Sequence, residues 1–298
     1  MKQFIFIFIL ISYYFLNAQE QDTTIKKTKE YVEKTFRTTT LFHNQTTEMT
    51  PSRSFTLLIN HKFGTADFSK PKDLINDFVG LDLTSNIRFA FEIPLCERFF
   101  ITVGRTRYEK YYDISGKALL LKQTTDNSMP ISLALYSETI ITTKKLENPG
   151  KDFFFENGKE FEYKFLHRFT YFNQVIISRK FNKTFSAQVA PCVIYRNLAP
   201  VNEDNITYSI PMGVRIRTSL MNNIVIEYAH VFNRPKIEIM PSALMYEIVT
   251  SSHVFQVGFC TTDKILPPTI YNANQVSFLK NKIILGFNLH KTFYLQKK

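Results

Sequence analysis

From Ser54 onward the chain alternates apolar and polar residues with a period of two. In the clearest stretch Ile210, Met212, Val214, Ile216 and Leu220 fall on one face, and Gly213, Arg215, Arg217 and Ser219 on the other. Successive side chains of a strand point to opposite faces, so this stretch reads as a strand with one greasy and one basic surface. Residues 87–93 repeat it, with Ile87, Phe89, Phe91 and Ile93 against Arg88, Ala90 and Glu92. Near the C-terminus Ile283, Leu285, Phe287, Leu289 and Phe293 oppose Gly286, Asn288, His290 and Thr292. Phe255, Val257 and Phe259 likewise oppose Gln256, Gly258 and Cys260. Residues 98–107, 110–122, 129–142, 184–197 and 223–232 alternate less strictly. Residues 168–181 carry apolar groups on both faces, which leaves their orientation unassigned.

The pattern predicts twelve strands, at 54–63, 84–93, 98–107, 110–122, 129–142, 168–181, 184–197, 208–220, 223–232, 242–249, 252–261 and 282–295. Most have ten residues or more, whereas a strand of a soluble domain has about 5–6. A tilted strand needs ~9–11 residues to cross a bilayer core. Connections after even-numbered strands are short, and those after odd-numbered strands are long except after the third. That sorting is a property of outer-membrane barrels, with short periplasmic turns and long external loops. No apolar run of ~18 residues follows the N-terminal region, so no helical span is predicted. The expected fold is therefore all-β, an antiparallel transmembrane β-barrel of about twelve strands. A soluble periplasmic barrel that binds lipid in a greasy interior shows the same alternation turned inside out, and is the alternative. Within the first long loop, Lys72–Phe78 is predicted to form one or two helical turns with Asp73 as N-cap.

Lys2 and the apolar run Phe4–Leu16 precede Asn17-Ala18-Gln19, the pattern of a secretory signal peptide cleaved after Ala18. The expected division is a signal peptide at 1–18, a polar extension at 19–50 and a barrel domain at 51–298. The extension is expected to be a plug or a periplasmic segment. The expected location is the outer membrane.

The formal charge of +11 points, in an exported chain, to anionic lipid or an anionic solute rather than nucleic acid. The 29 Phe and 15 Tyr, with no Trp, suit strands and membrane interfaces. Cys96, Cys192 and Cys260 have no ligand spacing, and no metal site or cofactor is expected. The polar faces contain Lys62, Arg88, Glu92, Arg196, Arg215, Arg217, Glu227 and Gln256, which become lumen candidates in a barrel. Rings of basic residues favour anions in a pore. Arginines paired with Glu92, Glu227 and an inserted N-terminal segment would instead make a plugged barrel.

Several short motifs occur in a fixed order: His61-Lys62-Phe63-Gly64, Gly80-Leu81-Asp82, Asn86-Ile87-Arg88-Phe89, Gly104-Arg105, Arg196-Asn197-Leu198, His253-Val254-Phe255-Gln256 and Gly286-Phe287-Asn288. Together they resemble an uncharacterised outer-membrane β-barrel family of Gram-negative bacteria, catalogued as domain of unknown function 5777. The resemblance covers about residues 30–295. It implies fold and location, and no activity. It marks His61, Phe63, Gly64, Asp82, Asn86, Arg105, Asn197 and His253 as motif positions. This chain departs from the pattern at Ser251-Ser252, at Lys280-Asn281-Lys282, and in the residues after Phe293-Tyr294.

The function expected is non-enzymatic. It is narrow passage of small solutes, with anion preference if the basic groups line the lumen, or a surface scaffold whose loops bind a protein partner. The enzymatic alternative is an outer-membrane lipid hydrolase in which Ser251 and His253, two apart on one strand face, act as nucleophile and base. No recognisable catalytic motif surrounds that pair.

Overall fold

The computed structural model describes residues 30–145, 157–200, 203–234, 239–273 and 275–295. The signal peptide, cleavage site and residues 19–29 lie outside them.

Thirteen strand segments form one closed antiparallel sheet. They are β1 (Ser54–Asp67), β2 (Asn86–Cys96), β3 (Phe99–Thr106), β4 (Tyr111–Leu121), β5 (Ser132–Thr142), β6 (Phe169–Lys180), β7 (Phe185–Val189), β8 (Cys192–Arg196), β9 (Ile206–Arg217), β10 (Asn222–Val231), β11 (Ser242–Val249), β12 (His253–Cys260) and β13 (Lys282–Tyr294). Apart from β7 and β8, each pairs with its neighbour along the chain, and β1 also pairs with β13, which closes the ring. β7 and β8 lie end to end between β6 and β9. They form one wall strand, so the barrel has twelve.

The break in that strand corrects the continuous strand expected at 184–197. Pro191 has no N–H to give the ladder, and the pairing resumes at Cys192. On either side of the break, the Ala190 N–H donates to the Pro211 carbonyl (2.8 Å) and the Val175 N–H to the Pro191 carbonyl (3.0 Å).

The short turns, such as 97–98, 181–184 and 218–221, share one end of the barrel with Ser54 and Tyr294. The long connections leave the opposite end. In the first of these, helix α1 (Pro71–Asn76) starts at Pro71 with Lys70 at the N-cap position, so Asp73 lies inside the first turn instead of capping it.

Alternation decides which face meets which surroundings. Phe89 is 47 % exposed, and Ile114, Ile226, Leu244, Val257 and Phe259 are exposed beside it around the outer wall. Such a continuous apolar belt is unfavourable in water and favourable against lipid. The inner face contains buried Lys62, Arg88, Glu92, Asp113, Lys117, Glu138, Arg215, Glu227 and Glu247. The inside-out alternative, a soluble barrel with a greasy core, is thereby overturned. No described helix is long and apolar enough to cross a membrane.

The unassigned segment 168–181 also resolves. In β6, Phe172, Gln174, Ile176 and Ser178 face inward and are buried. They belong to an apolar sector of the lumen with Tyr136, Ile194, Ile270 and Tyr271. Both faces of β6 are apolar because one meets lipid and the other meets a packed interior.

Candidate functional site in the barrel lumen

The lumen is filled by the chain's own N-terminal segment. Residues 38–47, seven of them Thr, Asn or Gln, are all buried. They turn back on themselves as a hairpin. Thr40 and Gln45 form an antiparallel bridge. The Leu41 N–H donates to the Asn44 carbonyl (2.7 Å), and the Thr46 N–H to the Thr39 carbonyl (2.9 Å). At its base Glu48 accepts the N–H groups of Thr35 (2.8 Å) and Phe36 (3.1 Å).

So short a hairpin leaves most of its backbone unpaired, and buried peptide groups need partners. The barrel wall supplies them. The Lys117 ammonium donates to the carbonyls of Thr39 (2.7 Å), Thr46 (3.0 Å) and Glu48 (3.4 Å). Asn288 donates to those of Leu41 and Phe42, both at 3.2 Å. Gln188 donates to the Gln45 carbonyl (2.9 Å), and Gln256 to the Thr38 hydroxyl and the Thr40 carbonyl. Glu227 accepts the N–H groups of His43 (2.9 Å) and Asn44 (3.1 Å), with the Asn44 side-chain amide. Glu92 receives the hydroxyls of Thr39 and Thr50, both at 2.6 Å, and so holds both legs of the hairpin.

Close packing matches this polar fit. A side chain at Gly213 would place its Cβ 2.5 Å from Leu41 Cδ1, so it would displace that methyl from β9. Phe36, Leu41 and Phe42 fill a second apolar sector with Val225, Met245 and Ile284. The Lys62 ammonium lies 2.9 Å from the centroid of the Phe42 ring, a cation–π contact.

The opposite mouth is closed by the connection after β12. Helix α2 (Pro267–Ile270) buries Pro267, Pro268 and Ile270, and Leu266 and Tyr271 are buried beside it. The Tyr271 hydroxyl donates to Asn44 Oδ1 at the hairpin tip. Burial holds that phenol well above its ordinary pKa, so it stays a donor. Arg234 fastens the same region. It donates to Asn272 Oδ1 (2.9 Å) and the Thr207 hydroxyl (2.5 Å), and pairs with Glu203 (3.1 Å). Burial and the nearby Arg196 lower its pKa.

Of the lumen candidates, Lys62, Glu92, Glu227 and Gln256 face inward and touch the hairpin. Arg88 faces inward but pairs with Asp113 (2.5 Å) and bonds Asn60. Arg215 faces inward, and its partners are Ser186 and Asn223. The other two lie at the rims. Arg196 pairs with Glu203 (3.0 Å) at the long-loop end. Arg217 donates to the Ser219 carbonyl (2.9 Å) in a short turn. Lys117, Gln188 and Asn288, which hold much of the hairpin backbone, were outside the candidate set. The parity of Asp113, Ser115 and Lys117 in β4 was the available signal. Among the described residues, the buried strand charges of the lumen are four cations (Lys62, Arg88, Lys117, Arg215) against five acids (Glu92, Asp113, Glu138, Glu227, Glu247). The middle of the lumen is thus balanced rather than basic.

The motif positions have structural roles at the wall and the long-loop end. His61 points outward, stacked on Phe287 (5.1 Å between centroids) and close to Phe63. Gly64 sits where its N–H donates to Gly80, and a Cβ there would lie 2.3 Å from that of Leu83. Asp82 is exposed, with its N–H on the Asp77 carbonyl. Asn86, the first residue of β2, joins two loops, donating to the Asp263 carbonyl and accepting the Tyr108 N–H. Arg105 lies over Tyr112 and donates to the Thr106 and Tyr111 carbonyls. Asn197 donates to the Leu166 carbonyl.

The hydrolase pair is not assembled as expected. The His253 ring meets the hydroxyl of Ser252 (3.2 Å), not Ser251, and stacks on Phe255 on the outer wall. Lys291 also donates to that hydroxyl (2.7 Å). Ser252 belongs to the turn, where it can bend back to the ring despite its parity. Among the described residues no group of three His, Cys, Asp or Glu could hold a metal.

The sequence profile of the family described as a membrane-bound beta barrel domain, domain of unknown function 5777, matches residues 36–293. No curated protein sequence matches the chain. Among solved structures, the NanC porin has 4% sequence identity, a TM-score of 0.50, and covers 78% of this chain and 98% of its own. The KdgM porin has 5% identity, a TM-score of 0.49, and covers 80% and 99%. At 4% identity the likeness to the NanC porin is one of fold.

Proposed function

We propose that this chain, which belongs to that membrane-bound β-barrel family, is a non-enzymatic outer-membrane barrel whose solute passage is closed by its own hairpin. The short turns face the periplasm, from which the hairpin enters, and the long loops face outward. Passage requires the hairpin to leave. The observation that carries this reading is the engagement of the hairpin backbone by Lys117, Glu227, Gln256 and Asn288. These groups would line an aqueous channel if the hairpin withdrew. The balanced charge of the mid-lumen supports a passage of weak ion selectivity rather than the anion preference expected from the arginines alone.

The test is conductance in planar bilayers, comparing the intact chain with one lacking residues 31–50. The intact chain should be nearly silent and the shortened one steadily conducting. A folded shortened chain that stays silent would reduce the protein to a surface scaffold.

A further inference from the structure

The geometry points to an oxyanion-binding site at the short-turn mouth, formed by Lys180, Arg215 and Arg217 of the wall with Arg37 of the N-terminal segment. Register brings the wall residues together. Lys180 is paired with Ser186, and Ser186 with Arg215, so the three form one row across β6, β7 and β9. Arg217 follows two residues along, on the same face of β9. Arg37 immediately precedes Thr38, which Gln256 holds against the wall. Arg215 and Lys180 each have Arg37 and Arg217 among their charged neighbours.

Arg215 is the decisive residue. It is 2 % exposed, and its bonds go to two neutral oxygens, Asn223 Oδ1 and Ser186 Oγ, both at 3.3 Å. Its Nε has no partner, nor does that of Arg37. Lys180 has Glu33 as a charged neighbour and donates to its carbonyl (3.2 Å), and neither acid near Arg215 bonds its guanidinium. Glu247 receives Asn223 (2.8 Å) and Gln256 (3.0 Å), and Glu48 receives the Thr35 and Phe36 N–H groups. The other buried arginine of the wall, Arg88, has a carboxylate at 2.5 Å. A buried guanidinium with no carboxylate bonded to it, beside like charges, is costly unless an anion joins it.

A phosphate group has the oxygens to accept from Arg215 Nε and Arg37 Nε together, in short charge-assisted bonds. It would come from free phosphate or from a lipid headgroup at the mouth. A cavity of about 150 Å³ adjoins Arg37, with Lys34, Thr39 and the Glu48 side chain also in its lining. Because Arg37 belongs to the segment that fills the lumen, the bound oxyanion ties that segment to the wall. The site does not depend on the barrel conducting solutes.

The test uses the intact chain in uncharged detergent, titrated with inorganic phosphate and, separately, with a water-soluble short-chain phosphatidic acid. Binding is read by calorimetry. One of the two should saturate at a single site. That affinity should fall about tenfold or more in Arg215→Gln and in Arg217→Gln. Saturation by inorganic phosphate assigns a solute, and saturation by the phosphatidate alone assigns a headgroup. If Arg215→Gln yields no heat-modifiable folded band, the rim variant Arg217→Gln decides alone. Absence of saturable binding by either probe, or equal binding in the folded variants, overturns the site.

Discussion

The hydroxyl of Tyr271 donates to Oδ1 of Asn44, and this bond joins two segments that enter the barrel from opposite ends. Asn44 is at the tip of the hairpin, with its N–H and side-chain amide on Glu227. Tyr271 ends the helical turn that closes the other mouth, where its ring packs near Phe172. The interior is continuous because these two residues meet. Tyr271→Phe keeps the ring and removes the donor, leaving a buried amide oxygen short of a partner. It should cost about 1 kcal/mol in urea unfolding. An unchanged midpoint would show that the contact is not made.

Lys117 gathers three hairpin carbonyls on one ammonium, as many bonds as Glu227 makes to the hairpin. Lys117→Met preserves the stem and strands those carbonyls, and removes a cation beside Glu92. The expected loss is about 3 kcal/mol. Bursts of conductance should appear in a chain that is otherwise silent. A stable, silent variant would mean the hairpin is held elsewhere.

Gly213 and Leu41 form a steric pair, and a Cβ at Gly213 would meet the Leu41 Cδ1 methyl at 2.5 Å. Gly213→Val should destabilise by about 1–3 kcal/mol through overpacking. Combining it with Leu41→Ala should recover part of that loss, giving a coupling of about 0.5 kcal/mol or more in a double-mutant cycle. Strict additivity would separate the two residues.

Ile226 faces outward near the middle of β10, opposite Leu244 and Val214. Ile226→Arg places a charge on the lipid-facing wall and should cost ~2–4 kcal/mol in bilayer-based unfolding. A change within ±0.5 kcal/mol, the usual range at a watery surface, would argue against lipid at that position.

The twelve wall strands were legible because lipid and interior impose opposite demands on alternate residues. Phe89 and Arg88, or Ile216 and Arg215, state that demand directly. The composition of the interior was less legible. Phe172, Ile176 and Ile194 point inward yet are apolar, because they pack against Ile270 and Tyr271 rather than water. Alternation therefore fades in β6 and β8, where the filling is hydrophobic. Asp113, Glu138 and Glu247 lie in strands whose alternation is weak, so the lumen read as more basic than it is. The hairpin's place was open in the sequence, since polar Thr-rich residues suit solvent as well as a polar lumen. Only the matching set of wall donors and acceptors settles where residues 38–47 lie. Pro191 was the visible sign of the broken strand.

Closure of the barrel by the hairpin is open to direct measurement. Single-channel recording in planar bilayers tests it most directly, with the intact chain beside a chain lacking residues 31–50 and with folding of both verified by heat-modifiability. A barrel closed by its hairpin gives near silence from the intact chain and steady conductance once the hairpin is gone. Steady conductance from the intact chain, equal to that of the shortened one, would contradict it.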